Sequence, residues 1–257
     1  MLTTMRKHKK LTSAPNLINK SLDLALSFLI AFICAAVIRT IIFEPYTIPS
    51  GSMKPNFMIG DYLVATKYDY GISKYSFWPW PINIINDRIM FRSPERGDVM
   101  IFRSASGSDT LYIKRVMALP GDKISVESGI VYINGKKLEQ TFAGYFTDDN
   151  GLQIKKYVES TPSGRSYYIL DHMGFNPEVG NMHEILVPEK SYFVMGDNRG
   201  NSNDSRVSLG LIPEDHITSK AKFILFSMGS KWWDIGHWLS TLDMNRFFLN
   251  VYSKPTQ

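Results

Sequence analysis

The sequence predicts a mainly β protein, an antiparallel β fold with long loops carried behind one N-terminal transmembrane helix. Three observations predict it. One long apolar run stands near the N-terminus. The rest of the chain is built from short segments rich in Val, Ile, Tyr and Phe, punctuated by Gly, Asn, Asp and Pro. Long helical periodicity is absent from the middle of the chain, which disfavours alternating βαβ units.

The first element is a basic tail, residues 1–20, with Arg6, Lys7, Lys9, Lys10 and Lys20 and no acid. The net charge of +5 belongs to this tail, because removing those five residues leaves 24 basic residues against 24 acidic ones. A neutral body lacks the basic patch that nucleic-acid binding needs. The apolar run follows as "SLDLALSFLIAFICAAVIRTIIF", residues 21–43, with no charge from Leu24 to Ile38. As a helix, Leu22 to Phe43 measures about 33 Å, enough to span a bilayer with Arg39 snorkelling at the far side. A cleaved secretory signal is the alternative. It fits less well, because Arg39 and further apolar residues stand where a small-x-small exit belongs. The expectation is a single-pass anchor in the plasma (inner) membrane, with the tail in the cytoplasm and the body on the outer face. The one cysteine, Cys34, lies inside this run, so neither an intramolecular disulfide nor a cysteine metal cluster is available.

The strand-like segments come next: "DYLVATKYDY", "GDVMIFR", "LYIKRVMAL", "GIVYING", "SYFVMGD" and "KAKFILFSM". Asn134-Gly135 between "IVYI" and "KKL" signals a hairpin. Between the first two segments, "SKYSFWPWPINII" (residues 73–85) crowds Trp78, Trp80, Phe77 and two prolines together. It reads either as a loop folded on its own core or as an aromatic tip, residues 77–82, dipping into the lipid interface. The cluster "KWWDIGHWL" near the C-terminus is open to the same two readings. Residues 122–190 are more polar and rich in turns, and read as an insertion or small second domain.

Several chemistries are excluded. There is no G-x-S-x-G elbow, no H-E-x-x-H and no phosphate-binding glycine loop, and the five histidines are scattered. "GDNRGNSNDSR", residues 196–206, lacks the glycine and glutamate of a calcium loop counted from Asp197, so no metal is expected there. Lys114 in "LYIKRVMALPGD" is unusual for an apolar strand. It ends in solvent, pairs with an acid, or is desolvated and neutral. Desolvation lowers a lysine pKa, and a drop from about 10.4 to about 7.5 costs roughly 4 kcal/mol. A lysine so tuned takes a proton from a serine, as histidine does in serine triads. "IPSGSMKP", residues 48–55, supplies two serines in a rigid turn.

The blocks "IPSGSMKPNFMIGDYLVATK", "RGDVMIFR", "YIKRVMALPGD" and "GDNRGNSNDSR", in this order behind an anchor, resemble the bacterial type I signal peptidases, the serine–lysine endopeptidases of protein export. The resemblance implies two antiparallel β-sheet domains. A catalytic core from residues 44–121 and 191–257 is interrupted by the smaller polar insertion 122–190, and 21–43 form the transmembrane helix. It implies Ser52 as nucleophile, Lys114 as general base, and an oxyanion hole from the Ser50 hydroxyl and the Ser52 N–H. Ser202 would hydrogen-bond Lys114, with Asp204 and Arg206 in support. Tyr46, Ile48, Pro49, Met53, Phe57, Tyr112 and Ile113 would line pockets for small residues, so that preproteins are cut after Ala-x-Ala. No cofactor is implied; the partners are preprotein signal peptides and the lipid bilayer. Asn56, Ala118 and Gly200 depart from the common forms "KPT", "GLPGD" and "GDNRDNS". From Phe43 to Ser52 the extended chain reaches at most about 30 Å, so Ser52 is expected close to the membrane surface. Two other readings predict different properties. A self-cleaving repressor with a serine–lysine pair would carry a DNA-binding domain rather than an anchor. A non-enzymatic anchored β domain would tolerate loss of Ser52 and Lys114.

Overall fold

The computed structural model describes residues 17–41, 43–71, 88–104, 110–171, 179–229 and 241–255. The aromatic stretch 73–85 and the cluster 231–239 lie outside the described residues. Two units are distinguished, residues 1–39 and residues 40–257.

Helix α1 runs from Leu17 to Ile41, and all but its last two residues belong to the first unit. It begins earlier than the expected Ser21 and stops before Phe43, which already belongs to a strand. No Gly or Pro interrupts it, and Pro15 stands just before its start, where a proline is tolerated. Its described side chains, residues 20–36, are all exposed, Phe28 and Phe32 among the most. Among the described residues, no helix is long and apolar enough to cross a membrane.

The second unit is built from sixteen strands: β1 (Phe43–Thr47), β2 (Asp61–Thr66), β3 (Val99–Arg103), β4 (Leu111–Ala118), β5 (Lys123–Glu127), β6 (Ile130–Ile133), β7 (Lys136–Lys137), β8 (Glu139–Thr147), β9 (Gln153–Ser160), β10 (Ser166–Asp171), β11 (Met182–Leu186), β12 (Ser191–Met195), β13 (Ile212–Pro213), β14 (Ile217–Met228), β15 (Leu242–Asp243) and β16 (Leu249–Asn250). All six segments read from the sequence overlap one of them. The named pairs are antiparallel. The main sheet has nine strands in the order β1-β2-β14-β3-β4-β12-β13, with β15 and β16 both on β14. Pro45 sits in β1, the edge strand, where its missing N–H breaks no ladder. Two smaller sheets, β11-β5-β6-β7 and β10-β9-β8, come from the polar region between 122 and 190. Asn134 and Gly135 both take positive φ in the turn joining β6 to β7, as a two-residue hairpin requires.

Three apolar clusters form the core, and period-two alternation decides which residues enter them. Leu63 and Ala65 of β2 join Val99 and Ile101 of β3 and Ile224 of β14. Met100, Phe102, Val116 and Val194 form a second cluster. Ile124, Val131, Tyr167, Ile169 and Phe193 form a third, which joins the smaller sheets to β12. The segments 48–60 and 196–210 connect strands of this frame, and each carries part of the candidate site.

Candidate active site

The turn after β1 carries Ser50, Gly51 and Ser52. Ser52 lies in a single 3-10 turn, Gly51–Met53, and is 9 % exposed. Lys114 lies near the middle of β4, opposite Met100 of β3, and is 3 % exposed. Its Nζ is 2.6 Å from Ser52 Oγ, donating a hydrogen bond across a sequence separation of 62 residues. Burial is the dominant influence on Lys114 and brings its pKa down from 10.5 to about 8. The Asp204 and Asp197 carboxylates oppose that fall, and Arg206 adds to it. The Ser50 hydroxyl is 3.5 Å from Ser52 Oγ, and Ser50 itself is exposed.

The segment 196–206 holds the turn from the other side. The Asn198 N–H donates to the Ser52 carbonyl at 3.0 Å, and Asn198 Nδ2 donates to the Gly51 carbonyl at 3.0 Å. Gly196 is hemmed in: a Cβ there would stand 2.3 Å from Ser202 Oγ and 2.6 Å from the Ser52 carbonyl oxygen. Ser202 Oγ is buried beside Asp204, whose carboxyl it helps to hold down, and makes no hydrogen bond to Lys114. Asp204 is fully buried. It accepts from the Gly196 N–H at 2.9 Å and from Arg206 Nε and Nη2 at 2.9 and 2.8 Å. Burial alone would push its carboxyl up, but the Arg206 guanidinium and the Gly196 N–H hold it below the usual carboxylate range. Arg206 also donates to the Arg199 and Val179 carbonyls, which fixes the loop on which Ser202 lies.

The seven expected pocket residues divide. Ile48, Met53 and Phe57 form one buried cluster, against which Tyr46 and Ile113 pack. Tyr112 packs with a different cluster and stacks on Phe102 with ring centroids 6.0 Å apart. Pro49 is exposed. Tyr46 is tied down by a 2.6 Å hydrogen bond from its hydroxyl to Glu44 and by Ser219 Oγ at 3.3 Å.

Four residues were not assigned from the sequence. Asn198 is one. Asn56, noted only as a departure, donates through Nδ2 to the Tyr168 carbonyl at 2.6 Å and to Asp197 Oδ2 at 2.7 Å. Asp197 in turn accepts both guanidinium arms of Arg115, at 2.7 and 2.6 Å, and Arg115 lies over the Tyr167 ring at 3.8 Å. The density of amides and charges in "GDNRGNSNDSR" was the available signal. The partners lie too far along the chain for that signal to name them.

A buried amine hydrogen-bonded to a buried serine hydroxyl, with that amine's pKa brought near neutrality, can remove the hydroxyl proton and so carry out nucleophilic acyl chemistry. Such chemistry is that of a serine hydrolase. The comparisons narrow it. Residues 21–226 match the family described as signal peptidase, peptidase S26. The signal peptidase I of Rickettsia akari (strain Hartford) is 41 % identical over 240 residues, covering 86 % of this chain and 90 % of the relative. That of Rickettsia massiliae (strain Mtu5) is 40 % identical over 245 residues, covering 88 % and 92 %. A crystal structure of a signal peptidase I from Enterococcus faecalis V583 covers 50 % of this chain and 97 % of its own, at 23 % identity; its TM-score of 0.30 is too low to bear on the fold. The chain belongs to the peptidase S26 signal peptidase family and is a serine peptidase of that type.

Proposed function

We propose that this protein is a membrane-anchored signal peptidase that removes N-terminal signal peptides from exported preproteins after Ala-x-Ala, using Ser52 and Lys114. The observation that carries the reading is the 2.6 Å hydrogen bond between the buried Lys114 amine and the Ser52 hydroxyl. With Lys114 neutral, its Nζ lone pair takes the Ser52 proton as Oγ adds to the scissile carbonyl. The Ser50 hydroxyl and the Ser52 N–H donate to the oxyanion. The tetrahedral intermediate collapses, the Lys114 ammonium hands its proton to the departing amine, and an ester to Ser52 remains. Water then adds to the ester carbonyl while Lys114 takes its proton. Lys114 returns that proton to Ser52 as the acid leaves. Asp204 and Arg206 act indirectly, by fixing the loop behind the lysine.

The cluster of Tyr46, Ile48, Met53, Phe57 and Ile113 offers an apolar wall for small residues ahead of the cut, and Pro49 and Tyr112 complete the proposed pocket set. The uncharged run from Leu24 to Ile38 and the exposed apolar side chains of α1 favour an anchor. The basic tail would then lie in the cytoplasm, with the body beyond the membrane's outer face. Tethering would raise the effective concentration of the scissile bond at Ser52. Residues 122–190 would form the insertion in the catalytic core, and the aromatic segment 77–82 would be a second lipid contact.

The test uses the full chain in detergent and a preprotein with an Ala-x-Ala site. Ser52→Ala and Lys114→Ala should each abolish nearly all cleavage while remaining folded, and chelators should change nothing. Retained cleavage in either variant would sink the pair. The rate should rise with pH and level off above about pH 8, as Lys114 loses its proton. A profile flat from about pH 6 to about pH 10 would exclude a lysine base.

A further inference from the structure

The face of the β8–β10 sheet turned away from the core is an open groove. In β10, Tyr167 and Ile169 enter the core, whereas Ser166 and Tyr168 point to the other side. Tyr168 stands in register with Val158 of β9, and Val158 with Thr141 of β8. Together with Phe142, Lys156 and Lys254 they line a groove of about 750 Å³. Lys156 Nζ lies 4.6 Å from the centre of the Tyr168 ring. None of the described lining residues is acidic.

The strand that carries this groove is pinned to the segment that holds the nucleophile turn. Asn198, whose N–H donates to the Ser52 carbonyl, forms a parallel bridge with Leu170 of β10. Leu170 N–H donates to the Asp197 carbonyl, and Arg199 N–H to the Leu170 carbonyl, both at 2.9 Å. Tyr168 is two residues back along the same strand, about 7 Å away, and its carbonyl accepts from Asn56. Adding the bridge spacing of about 5 Å gives about 12 Å, so an extended chain leaving Ser52 reaches the groove from about its fourth residue at about 3.3 Å each. The apolar wall proposed for the signal segment is built from β1, β4 and the nucleophile turn. The groove, with two lysines, serine and threonine hydroxyls and aromatic rings, has different chemistry.

We propose that this groove receives the mature segment of the substrate, the residues after the cut, in extended form, and favours acidic over basic side chains there. This rests on the signal-peptidase reading above. The test compares peptide substrates with one signal segment and cut site, and with glutamates, lysines or uncharged residues at the fourth to sixth positions after the cut. With the full chain in detergent at low salt, kcat/KM should be about fivefold to tenfold higher for the glutamate peptide than for the lysine peptide, mainly through KM. The preference should invert in the double variant Lys156→Glu, Lys254→Glu. It should vanish in Lys156→Gln, Lys254→Gln, and in wild type at about 1 M salt, where charges are screened beyond about 3 Å. Equal kcat/KM for the two charged peptides, or a preference that survives both double variants, overturns the groove while leaving the peptidase reading intact. Failure of wild type to cleave the uncharged peptide overturns both.

Discussion

Replacing Lys114 by methionine should abolish cleavage and make the protein more stable. Lys114 is 3 % exposed, and its pKa in the fold is about 8 against 10.5 for an unperturbed lysine. At about 1.36 kcal/mol per pKa unit, the fold gives up about 3 kcal/mol to keep a charged amine there. The sign follows from proton linkage. The pKa is lowered on folding, so between these two values the unfolded chain binds more protons than the folded one, and stability rises with pH. The penalty is complete below about pH 8, shrinks as pH climbs, and is gone near 10.5. Methionine has a similar reach and no charge, so Lys114→Met escapes the penalty at every pH. At neutral pH the variant should be more stable by up to about 3 kcal/mol. For a domain of this size that is roughly 6–12 °C in Tm. Thermal unfolding of the full chain in detergent, wild type against variant, at intervals from about pH 7 to about pH 10, reads both the gap and its closure. A variant less stable than wild type at neutral pH refutes the reasoning. So does a gap that stays constant across that range, because it would have no connection with titration of Lys114.

Two further variants test the surroundings of the lysine. Asp204 raises the Lys114 pKa and Arg206 lowers it, so Asp204→Asn should move the midpoint of the pH–rate profile below about 8; an upward move contradicts that electrostatic account. Gly196→Ala places a Cβ 2.3 Å from Ser202 Oγ and 2.6 Å from the Ser52 carbonyl, and should cost about 1–3 kcal/mol of stability and most of kcat. Wild-type kinetics in that variant would mean that the loop yields without moving Ser52.

What could be read from the sequence depended on how far a residue's partners lie along the chain. The strand carrying Lys114 was legible because Leu, Tyr, Ile, Val and Met crowd the segment, and its oddity was legible because a lysine stands within so apolar a run. The turn at Asn134-Gly135 was legible because both residues tolerate positive φ. The long strands β8 and β9 were not singled out, because the aromatic residues Phe142 and Tyr145 are exposed there and the usual alternation is blurred. Asn56 and Asn198 were given no role because each side chain donates to a main-chain carbonyl, 112 and 147 residues away respectively. A carbonyl leaves no trace in residue type. Ser202 was expected to hydrogen-bond Lys114; its Oγ lies buried beside Gly196, with no hydrogen bond to that amine.

The segment 196–206 looks at first like a poor environment for a neutral lysine, because it brings buried carboxylates close to it. Asp197 and Asp204 would by themselves keep Lys114 protonated. Both are already committed. Asp197 accepts both arms of Arg115 and the Asn56 amide, and Asp204 accepts Arg206 and the Gly196 N–H. Deeper still, Arg199 is paired with Glu159, which also accepts the Tyr167 hydroxyl at 2.9 Å. Each buried acid thus has its own guanidinium, and little negative field is left over for the amine. Desolvation then wins, which is why burial leads the causes of the lowered pKa. Buried pairs of this kind contribute little net stability. Their value here is to support the loop that holds Ser52 with charged groups that neutralise one another, so that the Lys114 amine in contact with the serine can give up its proton near neutral pH.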